Sequence, residues 1–370
     1  MDISACLAAY EEANLYNLRK QYDKAIESLK RCIAINPDFA AGHLSLGYSL
    51  LKQFNYSEGF KELVEGRKLV RGDAGFEQVQ EFRRAYEWSG QCLEGKTILL
   101  FSGGGFGDAI QLIRYTPVLV GLGGRVVVIC ERPLERLLSR IQGVSDVVRM
   151  GSELPPFDYL SELVALPHHL KTTPMSIPPA SYIQEDTPSF TYWPTKLSGL
   201  RGLKVGVCWA GNPGRDFDHE RSVGLSQLLP LLTLAGKEIH FVSLQKGASE
   251  GDVAGFPDGL NMFDPAPDIE DFLDLASIIN TLDLVISVDS APAHLAGAMG
   301  KPVWMLSRFH GCWRWGEGRT DSPWYPSMRI FRQPCFGDWK SVIEDVTVEL
   351  KKLTQYEFDL PSDQHQELFR

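Results

Sequence analysis

The sequence predicts an α/β protein: a helical repeat module followed by two doubly wound halves. Three observations carry that expectation. Similar residues recur 34 positions apart near the start, helical periodicity gives way after Gly95 to short β-rich runs alternating with helices, and a second such alternation begins at Leu203. A length of 370 residues suits two or three domains. Hydrophobic residues at 44% and charged residues at 23% are those of a folded chain. The charge balance, 37 − 47 = −10, argues against a nucleic-acid binder, whose affinity rests on excess Lys and Arg. It leaves room for a local basic pocket around one anionic ligand. The longest apolar stretches, such as Val126 to Cys130, fall far short of the roughly 20 residues that span a membrane. An acidic first segment and seven scattered cysteines without CxxC pairs predict a cytoplasmic protein with reduced thiols.

The repeat is read from five pairs 34 residues apart: Ala13/Gly47, Tyr22/Tyr56, Ala25/Gly59, Leu29/Leu63 and Cys32/Gly66. That period, with small residues at fixed offsets, resembles the tetratricopeptide (TPR) helix–turn–helix unit. The small positions allow close helix approach, and Asn36-Pro37-Asp38 separates the units because proline cannot continue a helix. The second unit carries the Leu46-Gly47 core of the pattern, while the first has Glu12 where leucine is expected. Residues 75–88 read as one more helix closing the stack, within a repeat domain spanning 1–92. Such a module either docks a peptide or protein or serves as a scaffold for the domain after it.

The first α/β half is placed at 93–195. Lys96 to Phe101 is a buried strand, followed by the loop Ser102 to Gly107 and a helix from Asp108 to Val120. Arg125 to Cys130 and Asp146 to Met150 are further strands around a helix from Pro133 to Ile141. The proline-rich stretch from Pro155 to Pro194 reads as irregular structure leading to a linker. In the second half, 196–337, strands are expected at Leu203–Trp209, Glu238–Leu244, Asp283–Val288 and Pro302–Leu306. Helices are expected near Leu225–Leu234, Ile269–Leu282 and Pro292–Met299. Parallel sheets of this kind bind ligands at the carboxyl ends of their strands. The remainder, 338–370, is a helix from Asp338 to Leu353 and a polar tail.

The chemistry concentrates in four segments. The glycine loop, with Gly105, Phe106 and Gly107, lets backbone approach a ligand, yet lacks the third glycine of a dinucleotide fingerprint. Asp108 can cap the adjoining helix or act as a general base, with Gln111 one turn on. The strand end Trp209-Ala210-Gly211-Asn212-Pro213 opens a polar loop holding Arg221 and Ser222, where a guanidinium can clamp a phosphate or simply be solvated. In Asp289-Ser290-Ala291-Pro292-Ala293-His294 a helix start offers amide donors and its dipole to a diphosphate. His294 lies one turn beyond Ser290, and Asp289 suits sugar hydroxyls; a capped helix with a buried histidine is the alternative. Gln245 and the aromatic, arginine-bearing loop with Trp313 and Arg314 are further contacts for a base or sugar, or simply loop packing.

Together Gly107-Asp108-Ala109-Ile110-Gln111, the Trp-Ala-Gly-Asn-Pro strand end and Asp289-Ser290-x-x-x-His294-Leu-Ala-Gly resemble glycosyltransferase family 9. These are heptosyltransferase-like enzymes of the GT-B fold. With Trp313-Arg314-Trp315, Asp321-Ser322-Pro323-Trp324-Tyr325-Pro326 and Phe331-Arg332-Gln333, the chain looks like TPR proteins bearing such a domain. The resemblance implies Asp108 as catalytic base, Asp289, Ser290, Ala291 and His294 with Asn212, Arg221 and Ser222 as donor contacts, and Gly105 to Gly107 with Gln111 on the acceptor side. It also implies that the last helix returns to the N-terminal half. Such relatives usually carry Glu-Gln where this chain has Gly103-Gly104. The expected activity is inverting, metal-independent transfer from a nucleotide-diphosphate sugar, as co-substrate, to a glycan or protein hydroxyl, without a cofactor. The alternative is a catalytically lapsed TPR adaptor that binds a protein or nucleotide sugar.

Overall fold

In the computed structural model the chain divides into two compact units, residues 1–178 with 312–318, and 179–311 with 319–370. The structure describes residues 2–70, 79, 82, 85–183, 192–236, 238–255 and 261–356. The expected borders lie at 92/93, 195/196 and 337/338. The repeat helices and the first α/β half form one unit, the change of unit falls at 178/179 rather than at 195, and residues 312–318 cluster with the first unit.

The first unit opens with helices α1 (Ile3–Leu18), α2 (Tyr22–Ile35), α3 (Ala40–Lys52) and α4 (Tyr56–Leu69). They pair as expected for two TPR units, and the small residues explain the closeness. A Cβ at Gly47 would lie 2.9 Å from the Gly59 carbonyl, and one at Gly59 would lie 2.7 Å from Leu51. Ala13, Ala25, Leu29, Leu46 and Leu50 form the core between the helices. Glu12, the departure from the repeat pattern, accepts from Ser28 Oγ at 2.9 Å and pairs with Arg31. Of the expected closing helix, Val79, Phe82, Ala85 and Tyr86 are helical, and the rest of 75–84 lies outside the described residues. Val79 packs on Leu99, Phe101 and Val127, so this segment covers one face of the adjoining sheet.

That sheet has four parallel strands, β1 (Thr97–Phe101), β2 (Arg125–Cys130), β3 (Val144–Arg149) and β4 (Tyr159–Glu162), in the order β3-β2-β1-β4. The expected helix from Asp108 to Val120 is two helices, α5 (Phe106–Leu112) and α6 (Thr116–Gly121), joined by a 3₁₀ turn at Ile113–Tyr115. Pro117 sits in the first turn of α6, where its missing N–H costs nothing. Helix α7 (Arg132–Leu138) connects β2 to β3. The stretch expected to be irregular supplies β4 and the short helix α8 (Leu166–His169). Four residues are too few to show a strand period, and it is pairing with β1 that makes them one.

In α8, the His169 ring packs edge-on against Trp88 at 5.7 Å. Burial first, and then the neighbouring His168, push its pKa down from the usual 6.5 to about 4. The unfolded chain therefore binds a proton that the folded chain refuses between those values. The resulting stability is present above pH 6.5 and is lost as the pH falls towards 4. Thermal unfolding across that window should show a falling Tm whose slope is reduced in His169→Gln. Equal slopes in the two proteins would remove His169 as the cause.

The second unit begins with α9 (Tyr192–Leu197) and contains a six-stranded, wholly parallel sheet. Its strands are β5 (Leu203–Cys208), β6 (Ile239–Ser243), β7 (Met262–Phe263), β8 (Leu284–Val288), β9 (Val303–Ser307) and β10 (Met328–Arg332), in the order β10-β9-β8-β5-β6-β7. Helices α10 (Asp218–Arg221), α11 (Leu229–Leu232), α12 (Phe272–Asn280), α13 (Ala291–Ala298) and α14 (Trp339–Tyr356) complete it. All residues of β8 and β9 are buried, as expected of strands covered on both faces. The last helix, α14, belongs to the second unit. Trp339, Val342, Ile343, Val346, Leu350 and Leu353 of α14 belong to the same core as Leu203, Val205 and Leu231 of the second unit. The helix buries its apolar stripe there. The remainder of the expected tail, 357–370, lies outside the described residues. No helix among the described residues is long and apolar enough to cross a membrane.

Candidate functional site

In the first sheet the chain winds from β1 through β2 to β3 on one side and returns to β4 on the other. Loops at such a reversal diverge and leave room above the strand end. The loop after β1 is Ser102 to Gly105, with Gly105 the N-cap of α5. Asp108, in the first turn, reaches back so that its Oδ2 accepts the Gly105 N–H at 2.8 Å. Its Oδ1 is bound by Arg314 Nη2, and Arg314 Nε donates to Oε1 of the buried Gln111. About a third of the Asp108 side chain, 34%, stays open to solvent. The carboxylate is thus helix cap and ion-pair partner together, with a surface still accessible to a hydroxyl.

Two more charges flank this loop. Arg67 of α4 donates to the Gly103 carbonyl at 2.7 Å and pairs with Glu162, the last and buried residue of β4. A Cβ at Gly103 would collide with both members of that pair, and one at Gly104 would strike the Asp108 carboxylate. These two glycines are therefore the complement of side chains brought in from elsewhere. Tyr48 of α3 belongs to the same neighbourhood. Its hydroxyl is pushed above its usual pKa by burial and then by the Asp108 charge, against the opposing pull of Arg67 and Arg314. Over the whole residue 42% of its surface stays open.

In the second sheet the reversal lies between β5 and β8, so the loops after these two strands open there. Asp218 of α10, itself buried, organises the first. Its Oδ1 accepts from Arg221 Nε at 2.8 Å and its Oδ2 from Ser222 Oγ at 2.9 Å. Ser222 Oγ in turn accepts the Gly211 N–H at 2.9 Å, and Arg221 Nη1 reaches the Asp289 carbonyl at 3.3 Å. A Cβ at Gly211 would strike the Arg221 guanidinium, which explains the glycine of the strand end. Asn212 stabilises a turn, its Oδ1 accepting from Gly214 N at 2.9 Å.

After β8, Ser290 is the N-cap of α13, but its side chain does not cap the helix. Its hydroxyl instead meets Ser287 Oγ at 3.0 Å and Cys208 Sγ at 3.5 Å, whose thiol burial pushes up. The first amides of α13, including that of Ala291, are left without a side-chain cap. His294 is buried between Tyr325, whose hydroxyl is 3.0 Å from Nδ1, and Asp289, whose Oδ1 is 3.9 Å from Nε2. Gly297 makes room for the Tyr325 ring, 2.6 Å from where a Cβ would stand. The second unit thus gathers Arg221, Ser222, Asp289, Ser290, Ala291 and His294 at one sheet reversal.

The family model described as glycosyltransferase family 9 (heptosyltransferase) matches residues 240–336, and the TPR repeat model matches residues 13–53. The chain is thus similar to TPR repeats near its start and to family 9 glycosyltransferases over about a quarter of its length, most of it in the second unit. Protein FlbA of Caulobacter vibrioides is 29% identical over 292 residues, which cover 71% of this chain and 48% of FlbA. The chain thus spans about half the length of the curated relative it matches. Among solved structures, E. coli ADP-heptose lps heptosyltransferase II is similar with a TM-score of 0.52 at 15% identity, over 71% of this chain and 99% of that one. A family 9 glycosyl transferase from Veillonella parvula is similar at 0.50 and 10%, over 72% and 98%. Both likenesses concern the GT-B fold.

Three further expected contacts, Gln245, Trp313 and Arg314, have partners within the protein. Gln245 was expected at a base or sugar. Its Oε1 accepts the amides of Trp209 and Ala210 at 3.1 and 3.0 Å, and its Nε2 donates to the Ala210 and Lys246 carbonyls. It shapes the loop after β5 from behind. Trp313 and Arg314, expected beside a base or sugar, lie in the first unit against Phe60, Asp108 and Gln111. Sequence reasoning missed Asp218, Glu162, Arg67 and Tyr48. Asp218 had a signal, standing three and four residues before Arg221 and Ser222. The other three had none, because they reach the glycine loop from distant parts of the chain.

Proposed function

We propose that this protein transfers a sugar from a nucleotide-diphosphate sugar to a hydroxyl of a glycan or protein, with inversion and without a metal ion. What carries the reading is the cluster at the second sheet reversal, where Arg221, anchored by Asp218, approaches the start of α13 beside Asp289 and His294. An arginine and an N-terminal helix end are a fitting receptor for a diphosphate, whose charge grows as the bond to the sugar breaks. Asp289 is then the group for sugar or ribose hydroxyls. In the first unit Asp108 takes the proton of the acceptor hydroxyl as its oxygen bonds to the anomeric carbon. The nucleoside diphosphate departs with the electron pair of the broken bond. Arg221 and the α13 dipole supply the stabilisation that a divalent ion gives elsewhere, so EDTA should leave the rate unchanged.

The test is a thermal-shift screen with UDP, GDP, ADP, CMP and their common sugars, on wild type, Arg221→Ala and His294→Ala. A rise in Tm with one nucleotide, lost in both variants, supports the donor site and names the base for transfer assays. No rise with any of them, for folded protein, moves the weight to an adaptor. The guanidinium already on Asp108 favours that second reading. Slow release of nucleoside diphosphate from the donor, without acceptor, separates an enzyme from an adaptor.

A further inference from the structure

Residues 312–318 are held by the repeat helices from several sides. Glu317 receives Tyr22 OH at 2.8 Å and Lys20 Nζ at 3.1 Å, with Lys52 Nζ 3.9 Å away and itself bonded to Tyr22 OH at 3.3 Å. Those partners come from α2, from α3 and from the turn between α1 and α2. Trp313 is buried, its ring edge-on to Phe60 of α4 at 5.4 Å. Gly316 and Gly318 flank Glu317 with φ of 56° and 68°, positive values that favour glycine. Between these two anchors Arg314 stacks 4.4 Å from its own Trp313 ring and extends to Asp108 and Gln111.

We propose that residues 312–318 form a strap which the TPR helices bind as an internal ligand, and that Arg314 on this strap is the positioning residue for Asp108. The argument is one of entropy. An arginine, with its many rotatable bonds, loses much side-chain freedom when held in one geometry. On a loop without anchors that cost offsets much of the gain of an ion pair a third open to water. Here the cost is met in advance. Glu317 has three partners on the repeats, Trp313 is buried, and the guanidinium is braced by the ring beneath it and by Gln111. The repeats therefore serve the α/β part directly: they set the orientation of the Asp108 carboxylate, at the start of α5, from a strap about 200 residues further along the sequence.

The kinetic half of this proposal rests on Asp108 acting as the base; the structural half does not, and the experiment separates them. Amide hydrogen exchange over residues 103–112 is measured in wild type, Arg314→Ala, Arg314→Lys and Glu317→Gln. Glu317→Gln keeps the size of the anchor and leaves the glycine loop and α5 untouched in sequence. Exchange in 105–112 is expected to rise about tenfold in Arg314→Ala and severalfold in Glu317→Gln. Unchanged exchange there in Glu317→Gln, with Tm unchanged, overturns the strap; should that variant not fold, Tyr22→Phe gives the same reading. In transfer assays Arg314→Ala should lower kcat rather than raise KM for the donor, with part of the rate restored by Arg314→Lys. A kcat equal to wild type in Arg314→Ala overturns the positioning role. If wild type turns over no donor, the transferase reading falls, and the exchange result alone decides the strap.

Discussion

Asp108→Asn is expected to slow sugar transfer by about 10²–10⁴-fold, the usual worth of a general base, while the nucleotide-induced rise in Tm is kept. The two effects separate because the Asp108 carboxylate belongs to the first unit and the proposed diphosphate contacts to the second. Asparagine preserves the helix-start bond, since its amide oxygen can still accept the Gly105 N–H that Oδ2 accepts at 2.8 Å. It cannot take a proton, and it cannot hold a guanidinium as an ion pair. Loss of activity with donor binding intact is therefore the signature of the base. Transfer within a few-fold of wild type would show that the acceptor proton leaves by another route, and that Asp108 is only the cap of α5.

Asp218→Ala is expected to weaken donor binding about 10–100-fold, close to the effect of Arg221→Ala, and to lower Tm by several degrees. This carboxylate is buried and accepts from Arg221 at 2.8 Å and Ser222 at 2.9 Å. Without it the guanidinium loses the contact that aims it towards the Asp289 carbonyl, and the Ser222 hydroxyl loses its acceptor. Each deprived polar group that stays buried costs about 1–3 kcal/mol. Titration calorimetry with the nucleotide found in the screen checks the affinity. Donor affinity equal to wild type in Asp218→Ala, together with a large loss in Arg221→Ala, would mean that Arg221 orients itself without help.

The repeat module was legible from spacing alone, because Ala13/Gly47 and Ala25/Gly59 report a steric requirement that two packed helices impose directly on sequence. The second α/β unit was equally legible. Buried parallel strands such as Leu284 to Val288 need continuous apolar runs, and the Asp289–His294 helix start is local. Elements whose existence depends on a distant partner were not. Strand β4 is four residues long and becomes a strand by pairing with β1. Helix α14 reads as an amphipathic helix, but only packing shows that its stripe enters the core of the second unit.

The same division runs through the site. Sequence by itself determined where Asp108 stands, in the first turn of a helix after a glycine loop, and that Arg221, Asp289, Ser290 and His294 come after the ends of two buried strands. Those facts depend on neighbours a few residues away. Tertiary structure decided what touches them. It put Arg314 on Asp108, Arg67 and Glu162 over Gly103, Tyr325 on His294, and the Gln245 amide on the Trp209 and Ala210 backbone. Each of these is a charge or a hydrogen-bonding group that must find a partner once the chain is compact, and the partner is chosen by the fold in three dimensions. Glycines at 103 and 104 show the consequence: in the sequence they look like missing side chains, and in the structure their space is already filled.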